Sequence, residues 1–401
     1  HLYLEFLYLG LSISALVFSL IGVFITGRIG GEFEGFDVTI ESYEVLSIFI
    51  INIVSLFMVY GLYCYSTKKR IVKKYLLKFN VKYADKIVFV LLVVQVIYTL
   101  NTGVGVVGSK NENAYSYLFA LISPVPIFYI YYFIARERAS LVFYLNVSLF
   151  MSTQIVQGWS GFILFLFFCE LYFRYNNGAS NLLKLFCKIY IFLPMVFVLG
   201  ALLYKTILPI KNQIRGVGEA EVTYVEAVFA LSNRLSFLSV SLATYQNVIE
   251  IKDKYESEDD GYREARSLLR PLVPSQLMGD KGFRSFNNLP IWSYYEGVNK
   301  YTGAGMGLPV FLYMLYVVSL VEFLSYLVIF ILLFVVARLY ISMLEQWPGQ
   351  LDFLYFLFLM KLFVGGSLEV GFSYGIFNSV YLIIIFIAIR VCLIRKVSVD
   401  L

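Results

Sequence analysis

Cationic and aromatic side chains share one polar stretch, residues 209–308, in an otherwise apolar chain. Guanidinium groups bind phosphate oxygens through paired hydrogen bonds, and aromatic faces pack against the C–H groups of sugars. The cations here are Lys211, Arg215, Arg234, Arg263, Arg266, Arg270, Lys281, Arg284 and Lys300, and the aromatics include Trp292, Tyr294 and Tyr295. The combination favours a ligand in which a phosphate carries a glycan.

One pattern in this stretch is an arginine triplet at i, i+3 and i+7, formed by Arg263, Arg266 and Arg270. The helix predicted over residues 262–270, ended by Pro271, would place the three guanidiniums on one face, within about 60° of each other. Such a face could clamp a diphosphate or stabilise one as it leaves. A solvated face, paired with neighbouring acidic residues, explains the pattern equally well.

Three further cations lie where a lipid phosphate could be reached. Lys211 and Arg215 are four residues apart, just beyond the seventh apolar segment, at the predicted outer boundary of the membrane. Long cationic side chains also anchor helices at that boundary without binding a ligand. Arg234 interrupts an apolar run at 227–243, so its charge needs a partner, for which a substrate phosphate is one candidate.

The end of the stretch combines a sugar platform with a carboxylate. Trp292 and Tyr295 are candidates for stacking on a sugar, and Glu296 follows as a base that could deprotonate an acceptor hydroxyl. Lys281 and Arg284 lie beside glycines, which let a backbone approach a ligand closely. The alternatives are aromatic anchors at the membrane interface and an ordinary loop.

The rest of the chain has the composition of a membrane protein. Hydrophobic residues make up 60% of it and charged residues 15%, whereas soluble domains average about 25% charged residues. A helix needs about 20 apolar residues to cross a bilayer. The candidate spans are residues 4–25, 45–65, 87–107, 115–135, 141–156, 160–173, 185–203, 317–339, 351–364 and 376–394. We therefore predict an all-α polytopic membrane protein with about ten transmembrane helices.

Lysine and arginine in the short loops predict the orientation. Residues 66–86 carry a dense run of them, and 136–138, 174–188, 338 and 390–396 fall on the same, cytoplasmic side. The opposing short loops hold only Arg28 and Lys110. This places the polar stretch outside and predicts three parts, a seven-span bundle at 1–207, an extracytoplasmic loop at 208–312 and a three-span bundle at 313–401.

Ionisable residues within the apolar segments are secondary candidates. Glu170, Asp352 and Lys361 lie near predicted span ends, where they can reach water. Glu322 is expected to lie deeper, either paired with another helix or facing a cavity.

Several classes of function are disfavoured. The net charge of +5 includes no dense basic arm, which argues against nucleic acid as a partner. The four cysteines lie in or beside apolar segments and the chain has one histidine, so we expect no disulfide framework and no metal site built from these residues. The P-loop of nucleotide-binding proteins and the Asp-x-Asp pair of metal-dependent sugar-nucleotide sites do not occur.

Two segments resemble bacterial Wzy-type polymerases, which join lipid-linked oligosaccharide repeat units into O-antigen or capsule. Residues 269–282 (LRPLVPSQLMGDKG) are similar to that family's arginine and proline stretch, and residues 303–309 (GAGMGLP) are similar to its glycine-rich approach to the next span. The sequence-level similarity is confined to about residues 210–311, and the topology extends it over most of the chain.

The resemblance implies a fold related to the multi-span glycosyltransferases of the C type. It implies a metal-independent enzyme without a cofactor, at the outer face of the cytoplasmic (inner) membrane. The enzyme would transfer the growing glycan from undecaprenyl diphosphate to an incoming lipid-linked unit, with inversion. A co-polymerase that regulates chain length is the implied protein partner.

By the same resemblance, Arg270 and Lys281 match the family's loop motif, and Arg215 corresponds to an arginine near the start of the loop. The family often has a glutamate just after the glycine-rich segment, whereas residues 309–313 (PVFLY) have none. The base therefore stays open among Glu296, Glu226 and Glu322. The rival interpretations are a flippase or transporter of lipid-linked oligosaccharide, an O-antigen ligase and a non-catalytic scaffold.

Overall fold

The structure is a computed structural model of the chain. It describes residues 2–33, 35–68, 75–106, 123–158, 161–178, 181, 184, 187–215, 223–257, 262–269, 285–295, 303–347, 349–368, 372 and 378–396. The described helices are α1 (Leu2–Thr26), α2 (Ser42–Lys68), α3 (Val81–Thr102), α4 (Val125–Ala135), α5 (Leu141–Val156), α6 (Gly161–Asn176), α7 (Ile189–Arg215), α8 (Tyr224–Ser236), α9 (Leu238–Gln246), α10 (Val248–Ser257), α11 (Arg263–Leu269), α12 (Leu289–Tyr294), α13 (Leu308–Val318), α14 (Leu320–Leu344), α15 (Asp352–Gly365) and α16 (Asn378–Ala388). Two short strands are β1 (Tyr75–Phe79) and β2 (Cys392–Lys396).

Long apolar helices confirm that the chain is a polytopic membrane protein. Among the described residues, five helices are long and apolar enough to cross a membrane, and they belong to α1, α2, α3, α7 and α14. The number is six if α8 and α9, which meet at a bend of 69°, form one broken span. Each of the five overlaps a predicted span. The total of ten stays a prediction, since α5, α13 and most of α16 are apolar but shorter.

The centre of the bundle is the short helix α15, which packs against α2, α6 and α13. From Phe353 to Phe363, every side chain of α15 is buried except that of Lys361. A helix that is apolar on all sides is expected in a core, because each of its faces then meets protein. Burial on all sides explains why α15, although it is too short for a typical span, consists almost entirely of apolar residues.

One end of the bundle gathers the lysine- and arginine-rich segments. Strands β1 and β2 pair in antiparallel register, with Tyr75 opposite Lys396 and Phe79 opposite Cys392. The side-chain nitrogen of Gln346 donates to the Leu77 carbonyl oxygen at 2.8 Å. This bond connects the loop after α14 to β1. We call this region, residues 75–80, 133–138, 345–351 and 390–396, the basic end. The sheet is an addition to the predicted all-helical architecture.

The opposite end, which we call the cap end, is formed by residues 27–41 and helices α8 to α12 together with residues 303–307. Helix α8 packs along α1 and α7, and the hydroxyls of Ser19 and Ser236 lie 2.6 Å apart. The apolar run at 227–243 is thus packed on the bundle and is divided between α8 and α9, which α10 follows. The first break is at Phe237, whose φ of 47° is left-handed. Helix α7 also runs to Arg215, past the predicted boundary at residue 207.

Candidate functional site

An open cleft of about 410 Å³ lies at the cap end. One wall comes from the short loop after α1, and the other comes from the ends of helices α9 and α12. The lining residues are Phe36, Asp37, Thr39, Gln246, Asn247, Ser293 and Tyr294. The cleft therefore combines two aromatic rings with one carboxylate, two amides and three hydroxyls, one of them the phenol of Tyr294.

Gln246, at the end of α9, joins the two walls. Its side-chain nitrogen donates to the Tyr294 hydroxyl at 2.7 Å and to the Asp37 carbonyl at 3.4 Å, and its side-chain oxygen accepts from the Thr39 amide at 3.3 Å. The Tyr294 hydroxyl donates in turn to the Ala243 carbonyl at 3.2 Å. Burial raises the pKa of Tyr294 to about 12, so this hydroxyl keeps the proton that it donates.

The acidic group of the cleft is Asp37. Its side chain is 78% exposed, and one carboxylate oxygen lies 3.5 Å from the Arg28 guanidinium. An exposed pair of this kind contributes little to stability. The carboxylate is therefore open to a ligand hydroxyl, with Arg28 as a second charged group at the rim.

The predicted aromatic platform lies beside the cleft. Tyr295 packs its ring 5.3 Å from that of Phe36 and donates its hydroxyl to the Glu32 carbonyl at 3.0 Å. Trp292 has the Lys254 ammonium 5.2 Å from its ring centroid, and that ammonium also donates to the Trp292 carbonyl at 2.7 Å. Of the three aromatics, Tyr294 lines the cleft, Tyr295 packs against the lining residue Phe36, and Trp292 faces Lys254 of α10.

Arg263, the first arginine of the predicted triplet, is fully buried. Its guanidinium lies 4.6 Å from the ring centroid of Tyr255, and its amide donates to a Glu322 carboxylate oxygen at 2.8 Å. The same oxygen accepts from the Tyr255 hydroxyl at 3.2 Å. Burial, followed by the Glu322 carboxylate, raises the pKa of Tyr255 to about 12, which keeps this donor protonated. We call this group, Tyr255, Arg263 and Glu322, the α11 junction.

The α11 junction revises the position expected for Glu322. The residue lies in the first turn of α14, where the Ser319 hydroxyl accepts from its amide, rather than deep in a span. The expectation that it pairs with another helix is met by α11. Glu264, next to Arg263, accepts from the Ser367 hydroxyl at 3.0 Å and from the Leu368 amide, so α11 is fastened on two sides.

The other described cations of the prediction belong to three different helices. Arg266 is partly buried on α11. Arg234 is exposed on α8, and its Nε donates to the Tyr204 hydroxyl at 3.1 Å. Lys211 and Arg215 lie in the last turns of α7. The side chains of those two residues lie outside the described part of the chain, as do the whole of Arg270, Lys281, Arg284, Glu296 and Lys300.

Sequence reasoning missed the residues that line the cleft, except for Tyr294. Asp37, Gln246 and Asn247 belong to no motif, and they lie more than two hundred positions apart across the two walls. The available signal was the loop at 30–37, where glycines alternate with aromatic and acidic residues in a segment that predicts no span. Glu226, a candidate base, lies outside the cleft lining and forms a capping box with Thr223.

The fold and the cleft define the class of this protein as a polytopic, mainly helical membrane protein with a structured cap at one end. No protein-family model matches the chain, and no curated protein and no solved structure is significantly similar to it. Within the described residues, no group of three His, Cys, Asp or Glu side chains could hold a metal ion.

Proposed function

We propose that this protein is a membrane glycosyltransferase that polymerises lipid-linked oligosaccharide repeat units. In this proposal the cap end faces outward from the bacterial cytoplasmic membrane. The growing glycan is transferred from undecaprenyl diphosphate to an incoming lipid-linked unit, without a metal or cofactor. The protein partner is a co-polymerase that regulates chain length.

The observation that carries the proposal is the lining of the cleft. Its volume of about 410 Å³ is in the range of small-molecule sites. Sugars present C–H faces and many hydroxyls, and the cleft offers the rings of Phe36 and Tyr294 beside the carboxylate of Asp37 and two amides. A cleft selected for an apolar ligand would not need this density of hydrogen-bonding groups.

Asp37 is the described carboxylate best placed to act as the base. It would take the proton of the acceptor hydroxyl while that oxygen bonds to the anomeric carbon of the donor glycan. The bond between the anomeric carbon and the diphosphate oxygen breaks in the same displacement, so undecaprenyl diphosphate leaves and the configuration inverts. Glu296, which follows the aromatic platform, is the alternative base.

The leaving diphosphate needs positive charge close to the membrane. Arg215 and Arg270, with Lys211 and Lys281, are proposed for this role from the loop motif and from their positions along the chain. Arg263 differs from them, because its guanidinium lies inside the α11 junction. We propose that it positions the loop rather than contacting the diphosphate.

The test is a gel ladder from the purified full chain and a synthetic undecaprenyl-diphosphate-linked repeat unit, with and without EDTA. We expect a ladder that survives EDTA and a rate about 10²-fold lower for Asp37→Asn. The matched control is Asp253→Asn, an exposed carboxylate on α10. Arg28→Gln separates loss of the ion pair from loss of the carboxylate, because it leaves Asp37 intact.

Other outcomes point to the rivals. A single unchanged band, with labelled substrate crossing liposomes, would identify a flippase. Transfer only to a lipid A core acceptor would identify a ligase. A ladder unaffected by Asp37→Asn would remove Asp37 as the base and leave Glu296 as the next residue to change.

A further inference from the structure

Lys361 is a cation in the centre of the bundle. It belongs to α15, where it is the one side chain between Phe353 and Phe363 that is not buried. Its ammonium lies 5.5 Å from the ring centroid of Tyr129 on α4 and 4.7 Å from that of Phe165 on α6. A third ring, that of Phe358 on the same helix, lies 5.9 Å away. Helix α15 is therefore partly exposed at the position where it carries a charge.

This ammonium has no carboxylate partner within the described residues, where it faces the three rings and lies near the thiol of Cys169. Aromatic faces attract a cation, but they offset only part of the free energy of removing it from water. The buried Arg338 of α14 has a different environment, since its guanidinium lies 2.7 Å from the carboxylate of Asp352. A cation in a membrane protein that lacks such a carboxylate is positioned to receive an anion from outside the chain.

The position of Lys361 along α15 limits what that anion is. The carbonyl of Val364, three residues further on, accepts a hydrogen bond from the Gly307 amide of the cap end at 3.1 Å. Lys361 thus lies about 5 Å below the seam between bundle and cap, one helical turn from it. A small hydrated anion is poorly suited to a site walled by aromatic rings. An anionic group attached to an apolar chain suits both the charge and the walls.

We propose that Lys361 anchors a binding site for the phosphate group of a lipid, with the rings of Tyr129 and Phe165 forming apolar walls beside the ammonium. Phosphate is the anionic group shared by phospholipids and polyprenyl phosphates. Both a phospholipid headgroup and a polyprenyl diphosphate have this chemistry. The inference concerns lipid binding alone, so it does not depend on whether the protein polymerises glycans.

The test is ligand-dependent thermal stabilisation of the full chain in detergent, with native mass spectrometry to count bound lipid. The probes are a polyprenyl diphosphate, phosphatidylglycerol and inorganic phosphate at equal concentrations. The variants are Lys361→Met, which keeps the volume and removes the charge, and Lys361→Arg, which keeps the charge. Lys188→Met is the matched control, because that ammonium also faces a ring, Tyr190 at 6.0 Å, but is exposed.

We expect Lys361→Met to bind lipid phosphate at least about thirtyfold more weakly, while Lys361→Arg and Lys188→Met stay close to the parent protein. We also expect the ligand-free melting temperature of Lys361→Met to be unchanged or higher, since an unpaired charge has been removed. A structural lysine would give a lower melting temperature or a chain that does not fold, and either result would overturn the proposal. Unchanged lipid binding by Lys361→Met, or equal binding of inorganic phosphate, would overturn it too. Preference for the polyprenyl diphosphate or for phosphatidylglycerol would identify the source of the phosphate.

Discussion

The basic end and the centre of the bundle hold their cations in different ways. At the basic end, Arg136 grips the carboxylate of Glu170 with two nitrogen atoms, each 2.8 Å from a different oxygen. The Lys361 ammonium, by contrast, faces aromatic rings and has no carboxylate partner in the described part of the chain. A cation that is paired with a carboxylate on a neighbouring helix holds the two helices together. An unpaired cation raises the free energy of the folded state, and a bound anionic ligand would lower it again. The comparison separates charges that build the fold from a charge available for binding.

The largest loss of stability should come from removing the bidentate ion pair between Arg136 and Glu170. Arg136→Met leaves the Glu170 carboxylate with one partner fewer in a partly buried position, and we expect the free energy of unfolding to fall by about 3 kcal/mol. Arg174 contacts the same carboxylate at 2.6 Å, but its side chain is 61% exposed, against 15% for Arg136. Arg174→Met should therefore cost less than about 1 kcal/mol. Thermal unfolding of both variants in one detergent measures the difference, and equal losses would contradict it.

The α11 junction provides an intermediate case, because the backbone amide of Arg263 and the hydroxyl of Tyr255, both uncharged donors, bond the same oxygen of its carboxylate. Glu322→Ala removes the acceptor for the Arg263 amide and for the Tyr255 hydroxyl, and we expect a loss of about 2 kcal/mol. Helix α11 should also become accessible to solvent. Hydrogen exchange over residues 263–269 measures this directly.

Ser319→Ala is the control for Glu322→Ala. It removes the hydroxyl that caps α14 and also hydrogen-bonds the Tyr255 side chain, at a cost of about 1 kcal/mol, while the carboxylate of Glu322 remains. Protection of α11 should therefore survive in Ser319→Ala. If both variants exposed α11 equally, the cap of α14 rather than the carboxylate would hold this helix in place.

Features that depend on one segment were predictable from the sequence. Spans such as α2 and α14 follow from a run of about 20 apolar residues, and the basic end follows from the lysines and arginines in the short loops. Helix α11 was also predicted, within one residue at each end. Its pattern of arginines could not indicate which face meets protein, because burial of Arg263 depends on Tyr255 and Glu322, which belong to other helices.

Features that join distant segments were not predictable. The pairing of β1 with β2 depends on a register between residues near 77 and 394, and neither strand has a turn or partner nearby in sequence. The cleft has the same origin, because Gln246 links Asp37 to Tyr294 only after α9 has folded against the loop that follows α1. The break at Phe237 was missed because phenylalanine is not a helix-ending residue and adopts positive φ only under tertiary constraint.

The smallest expected loss of stability concerns the seam near Lys361, where residues 303–307 of the cap end contact the end of α15. A Cβ atom at Gly305 would lie 2.9 Å from the Val364 carbonyl oxygen and 3.2 Å from the Gly365 Cα, both of them backbone atoms of α15. Because backbone atoms cannot turn aside as a side chain can, Gly305→Ala should push residues 303–307 away from α15 and lower the free energy of unfolding by about 1 kcal/mol. Gly61→Ala on α2 is the matched control, since no atom lies within 4 Å of its new methyl group and alanine favours the helix. Hydrogen exchange should increase at residues 303–307 in Gly305→Ala alone. If exchange there stayed at the parent rate, the cap would be held on α15 by its other contacts, and the seam would not control access to the charge beneath it.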